Sequence, residues 1–192
     1  MSASTKSGYH HGDLRASLLT TAMRMLEAGE QFSLRAVARE AGVSATAPYR
    51  HFADRDALES ALAAQGLRDL KADLAQGREL PESAEDLAEL AVAYVGFALR
   101  RPALFRLMFG NACDTGSEER VRAAAEIHDV VRLAMTRVFP ETASEALASA
   151  GWALAHGLAY LHLDGKLPAQ SDDAVAEQVR AAFAAVLSAR PR

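Results

Sequence analysis

Apolar residues recur every three or four positions along nearly the whole chain, and no stretch shows the period-two alternation of a half-buried strand. Leu14, Leu18, Ala22, Met25 and Leu26 form the first such stripe, which predicts a helix over 12–28 closed by Gly29. Ser33 is placed to cap a short second helix whose Leu34, Val37, Ala38 and Ala41 face inward, and Gly42 suits the positive φ that ends it. Ser44 is a further capping residue, so a third helix is expected over 45–51, anchored by Phe52. Asp54 caps a fourth, expected over 55–76 and ended by Gly77. A fifth opens near Ser83 and carries Leu87, Leu90, Ala91, Tyr94, Val95 and Ala98 until Pro102 breaks it. Four more segments read as helical, at 102–109, 117–138, 142–163 and 171–189, while 110–116 has no apolar period and reads as a surface loop. The fold class is all-α, with about nine helices: an N-terminal helix-turn-helix unit over 1–55, with a flexible arm at 1–10, and a larger helical domain over 56–192.

Composition narrows the class further. Half of the 192 residues are apolar, enough for a sizeable core, and only 6% are aromatic. A single cysteine, Cys113, excludes an internal disulfide framework. No apolar run reaches the length of a membrane span and residues 1–12 lack the apolar core of a signal peptide, so no membrane association and a cytoplasmic location are expected. The formal net charge is -4, yet its distribution is uneven: residues 1–58 hold seven Lys/Arg against six acids, whereas the remainder holds 14 against 19. Any field favourable to phosphate therefore lies at the front of the molecule.

Two short helices joined by a glycine turn make a unit whose second helix can enter a DNA major groove. On that helix Ser44 is the cap, and the small Ala45, Thr46 and Ala47 let the backbone come close to base edges. Arg50, four residues beyond Thr46, projects from the same face of an α-helix. Tyr49 and His51 can hydrogen-bond phosphate oxygens, and Arg55 at the next helix start adds a clamp. An ordinary helical hairpin would not require cap, glycine, apolar spacing and a Tyr-Arg-His-Phe cluster to coincide. Pro48 falls in the fourth position after Ser44, where its missing N–H forfeits the first intrahelical bond, so the start of this helix is open to displacement. Lys6, His10 and His11 form a basic arm that either reaches a minor groove or is simply a disordered terminus.

In Ala41-Gly42-Val43-Ser44, Tyr49-Arg50-His51-Phe52, Arg55 and Leu58 the chain resembles the tetracycline-repressor (TetR) family of bacterial transcriptional regulators over residues 10–60. The resemblance implies double-stranded operator DNA as partner, with Arg35 reaching it from the second helix and Thr46, Tyr49, Arg50 and His51 at the groove. The family usually has glycine where Thr46 stands and a branched aliphatic where Pro48 stands, which leaves the base-reading set open. The resemblance also implies a homodimer through the last two helices and control by a small-molecule effector.

Two stripes fit that dimer: Leu147, Ala150, Gly151, Leu154, Leu158 and Leu161 on the eighth expected helix, and Val175, Val179, Ala182, Phe183 and Val186 on the ninth. Such stripes serve equally as intramolecular core. Trp152, His156 and Tyr160 line another face, and Trp152 to Gly157 resembles a Trp-x-x-x-His-Gly element of one C-terminal subgroup. With Tyr94, Phe97, Met108, His128 and Met135 they are expected to wall a ligand cavity, although each alone fits core packing as well. No metal or other cofactor is implied. An all-α metalloenzyme is the alternative class; it needs facing Glu-x-x-His pairs, and Glu126-Ile127-His128 has the wrong spacing and no second copy.

Overall fold

The computed structural model describes residues 11–31, 33–77, 79–110, 117–141, 144–168 and 170–187. The expected arm and the loop with Cys113 lie outside the described residues. Within them the chain is helical, with no strand: α1 His11–Glu27, α2 Leu34–Glu40, a 3₁₀ turn Pro48–Arg50, α3 Arg55–Ala75, α4 Ala84–Arg100, α5 Pro102–Gly110, α6 Glu118–Val138, α7 Ser144–Leu163 and α8 Asp172–Leu187.

Local chemistry places most of these ends. Ser33 Oγ accepts from the Ala36 N–H at 3.2 Å, and Asp54 Oδ1 from the Ala57 N–H at 2.8 Å. Ser83 and Asp86 form a capping box at the start of α4. The Glu82 and Ser83 N–H groups and the Ser83 side chain that bond Asp86 hold its carboxyl below the usual carboxylate range. Pro102 ends α4 and occupies the first position of α5, where its missing N–H costs nothing. Gly42 closes α2 at φ +69°: its N–H bonds Arg39 O at 3.2 Å, and the Val43 N–H bonds Ala38 O at 2.9 Å.

The third expected helix is a correction. Residues 45–51 form no α-helix; Ala47 N–H bonds Ser44 O at 3.0 Å, Arg50 N–H bonds Ala47 O at 3.2 Å, and His51 N–H bonds Pro48 O at 2.9 Å. These are i to i+3 bonds. Proline at 48 has no N–H for the Ser44 carbonyl, so the segment winds tighter. Ser44 caps nothing, its hydroxyl standing 3.3 Å from that of Thr46.

The apolar core divides part-way along α3. Leu58, Ala61 and Leu62 pack with Leu18, Ala22, Met25, Leu34, Val37 and Phe52 of the N-terminal unit. Leu67, Leu70 and Leu74 join the large core formed with α4 to α8. Leu18, Leu58, Leu62 and Leu70 are fully buried, each contributing about 2–3 kcal/mol of transfer free energy. One continuous helix thus belongs to both halves. Ion pairs add ties: Glu119 at the start of α6 bonds Arg15 of α1 at 3.0 Å and Arg68 of α3 at 2.9 Å. Arg101, between α4 and α5, bonds Glu27 at 2.5 Å and Asp69 at 2.6 Å. These carboxylates hold the Arg101 guanidinium above its ordinary pKa against the opposing effect of its burial. No helix of the described residues is long and apolar enough to cross a membrane.

Candidate functional site

The 44–51 segment and α2 present the candidate nucleic-acid face. Pro48 is buried and locks the turn onto the core, while Ser44, Ala45, Thr46, Tyr49 and Arg50 are exposed. Tyr49 is 49% exposed, unusual for so large an apolar ring. Without an α-helix, the expected i, i+4 relation of Thr46 to Arg50 does not arise. Most basic side chains elsewhere are occupied: Arg15, Arg24, Arg68, Lys71, Arg100, Arg101, Arg106 and Arg180 all hold carboxylates. Arg35, Arg39 and Arg50 are exposed and form no ion pair among the described residues. Sequence reasoning named Arg35 and Arg50 but passed over Arg39, which lies one helical turn beyond Arg35 on α2. Two expected contacts are placed differently. Arg55 is held by Glu59 at 2.7 Å, an i, i+4 pair legible in the sequence. His51 is half-buried, with its Nε2 buried and without a hydrogen-bond partner among the described residues.

A second site lies among α3, α4, α6, α7 and α8. Leu87, Leu90, Ala91 and Tyr94 line it from one face of α4, Val131, Ala134 and Met135 from α6, and Gly151, Trp152 and Ala155 from α7. Leu74 and Phe183 complete the lining, and the cavity volume is about 30 Å³. Of the expected lining residues, Tyr94, Met135 and Trp152 reach this cavity. The apolar 87, 90, 91, 94 spacing along one helical face was the signal for the neighbours passed over. Phe97 is buried away from it, beneath the Arg101 guanidinium at 5.8 Å. Met108 is buried against Gly66 of α3. His128 stands 3.5 Å from Glu145, with its ring 6.4 Å from that of Trp152.

Trp152 Nε1 donates to the Tyr94 hydroxyl at 3.3 Å, and that hydroxyl lies 2.9 Å from His156 Nδ1. Indole is a donor only, so the phenol oxygen accepts from Trp152, and the imidazole tautomer sets which partner donates in the Tyr94–His156 bond. Burial pushes the imidazole pKa below its ordinary value and the phenol of Tyr94 well above its own. Phe105, Phe109 and Tyr160 ring the imidazole at 5.6, 4.8 and 4.9 Å. His156 and Tyr160 therefore stand behind the cavity wall, coupled to it through Tyr94.

The sequence profile described as "Bacterial regulatory proteins, tetR family" matches residues 18–62, and "Tetracyclin repressor-like, C-terminal domain" matches residues 87–185. The chain belongs to the TetR family. It is a DNA-binding transcriptional regulator of the all-α TetR fold. A solved structure from Rhodococcus sp. RHA1, described as a protein with unknown function, is 36% identical with a TM-score of 0.78, covering 93% of this chain and 97% of its own. A TetR transcriptional regulator from Rhodococcus sp. RHA1 shares the fold at 21% identity and TM-score 0.60, covering 92% of this chain and 97% of its own. So does AmtR of Mycobacterium smegmatis at 20% and 0.54, covering 99% and 100%.

TetR-family members generally dimerise, and the last two helices here carry both buried and open residues. Leu158, Val175, Val179 and Phe183 are buried within this chain's own core, and Gly151 and Phe183 line the cavity. Ala150, Leu161 and Val186 are exposed, and Leu147, Leu154 and Ala182 are half-buried. The open face of α7 runs through Ala146, Ala150, Ala153, Gly157 and Leu161.

Proposed function

We propose that this TetR-family protein is a homodimeric repressor that leaves a near-palindromic operator when a small molecule occupies its C-terminal domain. The carrying observation is the placement of Arg35, Arg39 and Arg50: exposed cations without a described ion-pair partner, flanking an exposed segment of small side chains. In this reading Thr46 and Arg50 meet base edges, while Ser44, Ala45, Tyr49 and Arg35 lie against the backbone. His51 acts by holding the turn, and Arg55 exchanges Glu59 for a phosphate on binding.

The dimer is assigned to the open faces of α7 and α8, where Ala150, Ala153, Gly157 and Leu161 allow close helix approach. A twofold axis then presents two reading heads roughly 34–36 Å apart, or a multiple of that. We read the Trp-x-x-x-His-Gly element from Trp152 to Gly157 as the mark of one C-terminal subgroup of the family, with Trp152 and Tyr94 as the polar side chains of the effector site. α3, shared between both cores, is the lever: an effector that prefers one dimer geometry shifts the population by its differential affinity alone. The domain division is drawn between Leu62 and Leu67, inside that helix.

Mobility shift of DNA upstream of the protein's own coding sequence, over a range of salt, tests the assignment. Sequence-selective retardation with a steep salt slope is expected. Equal affinity for random duplex at moderate salt overturns it.

A further inference from the structure

The C-terminal cavity holds about 30 Å³ and is walled by aliphatic and aromatic side chains. That is room for a water or two, not for an effector. Something must move, and Met135 is the side chain built to do so. It is unbranched, with three rotatable bonds. It is buried on α6, and its terminal methyl fills the notch left by Gly151 on α7, where a Cβ would lie 2.3 Å from Met135 Cε. Withdrawing that tip joins the notch to the cavity and gives a space of ring size beside Trp152 and Phe183.

The walls also state what that space accepts. No charged side chain lines it. Its polar side chains, Trp152 and Tyr94, are already bonded to one another, and the Tyr94 hydroxyl is also bonded to His156. An ionised group entering here would lose its hydration with no counter-charge. A neutral hydroxyl, in contrast, can use the one hydrogen-bonding position of the Tyr94 hydroxyl left over after Trp152 and His156. The geometry points to a ligand that is small, uncharged and ring-sized, carries at most one hydroxyl-type donor, and is admitted by displacement of the Met135 thioether from Gly151. This rests on the effector reading above and names the chemical class of that effector.

Trp152 is the only tryptophan of the chain, so its emission reports on this cavity directly. The full-length protein is titrated with toluene, benzyl alcohol, benzoate and benzylammonium, following Trp152 fluorescence and the thermal unfolding midpoint. Toluene and benzyl alcohol are expected to saturate both signals, with benzoate and benzylammonium weaker by at least about a hundredfold. Met135→Ala vacates the plug and is expected to tighten toluene binding about tenfold or more. Ala155→Leu fills the cavity and is expected to abolish binding; should it fail to fold, Met135→Ala still decides. A flat response to toluene and benzyl alcohol in both wild type and Met135→Ala overturns the inference, as does equal binding of the charged pair. Retardation of upstream DNA by the same preparations, without probe, reads the regulator assignment separately: intact retardation with no probe binding removes this inference and leaves that reading standing.

Discussion

The Tyr94 hydroxyl stands 2.9 Å from Nδ1 of His156, joining α4 to α7 across 62 residues of chain. With the Trp152 indole 3.3 Å away on its other side, the phenol is the centre of a three-residue relay inside an otherwise apolar wall. Removing the hydroxyl by Tyr94→Phe leaves the half-buried Trp152 N–H and His156 Nδ1 without this partner. The expected cost is about 1–3 kcal/mol of stability, read as a lowered denaturant midpoint at unchanged m-value.

Burial of the same imidazole sets a pH dependence. Burial lowers the His156 pKa, so the folded protein resists a proton that the unfolded chain takes up near the ordinary imidazole value of about 6.5. Its contribution to stability is full above that value and declines as pH falls through the lowered folded value. Unfolding midpoints measured between about pH 8 and pH 5 are expected to fall less steeply in His156→Asn than in wild type; parallel slopes would show that His156 is not the titrating group.

At the reading head, Arg35→Ala and Arg50→Ala each remove one exposed cation. Each is expected to reduce the magnitude of the log–log salt slope of operator binding by about one where the lost contact is to phosphate. Arg50→Ala and Thr46→Ala are also expected to relax preference at particular base pairs. Unchanged specificity in both variants would move the base-reading role elsewhere in the 44–51 segment.

Gly42 tests the turn in isolation. Its φ of +69° disfavours any side chain, and a Cβ there would meet nothing within 4 Å, so Gly42→Ala carries only the backbone cost. About 1–2 kcal/mol is expected, measured by chemical denaturation.

Ala150 is exposed on α7, so Ala150→Glu leaves the chain's own core untouched. Sedimentation equilibrium is expected to show a monomer in place of a dimer, with operator binding weakened because a single head contacts one half-site. A dimer of undiminished affinity would place the interface away from this face.

The sequence by itself determined where the helices begin and end. Ser33, Asp54 and Ser83 cap, Gly42 and Pro102 terminate, and the three-and-four spacing of leucines marks the buried faces; all of these act within a few residues of themselves. It also carried the TetR pattern, because that pattern lies within one short contiguous unit. Tertiary structure decided the rest. Pro48 was legible as a disturbance, but only the packed turn shows the recognition segment wound by i to i+3 bonds, with Arg39 joining Arg35 and Arg50 as an exposed cation. The expected ligand wall and dimer stripe share α7, and periodicity cannot tell which face turns inward. The rotation of α7 about its axis settles this, setting Gly151 against Met135 and Trp152 against Tyr94 while Ala150 and Leu161 face outward. Such pairings arise between helices far apart in sequence, where local propensity carries no information.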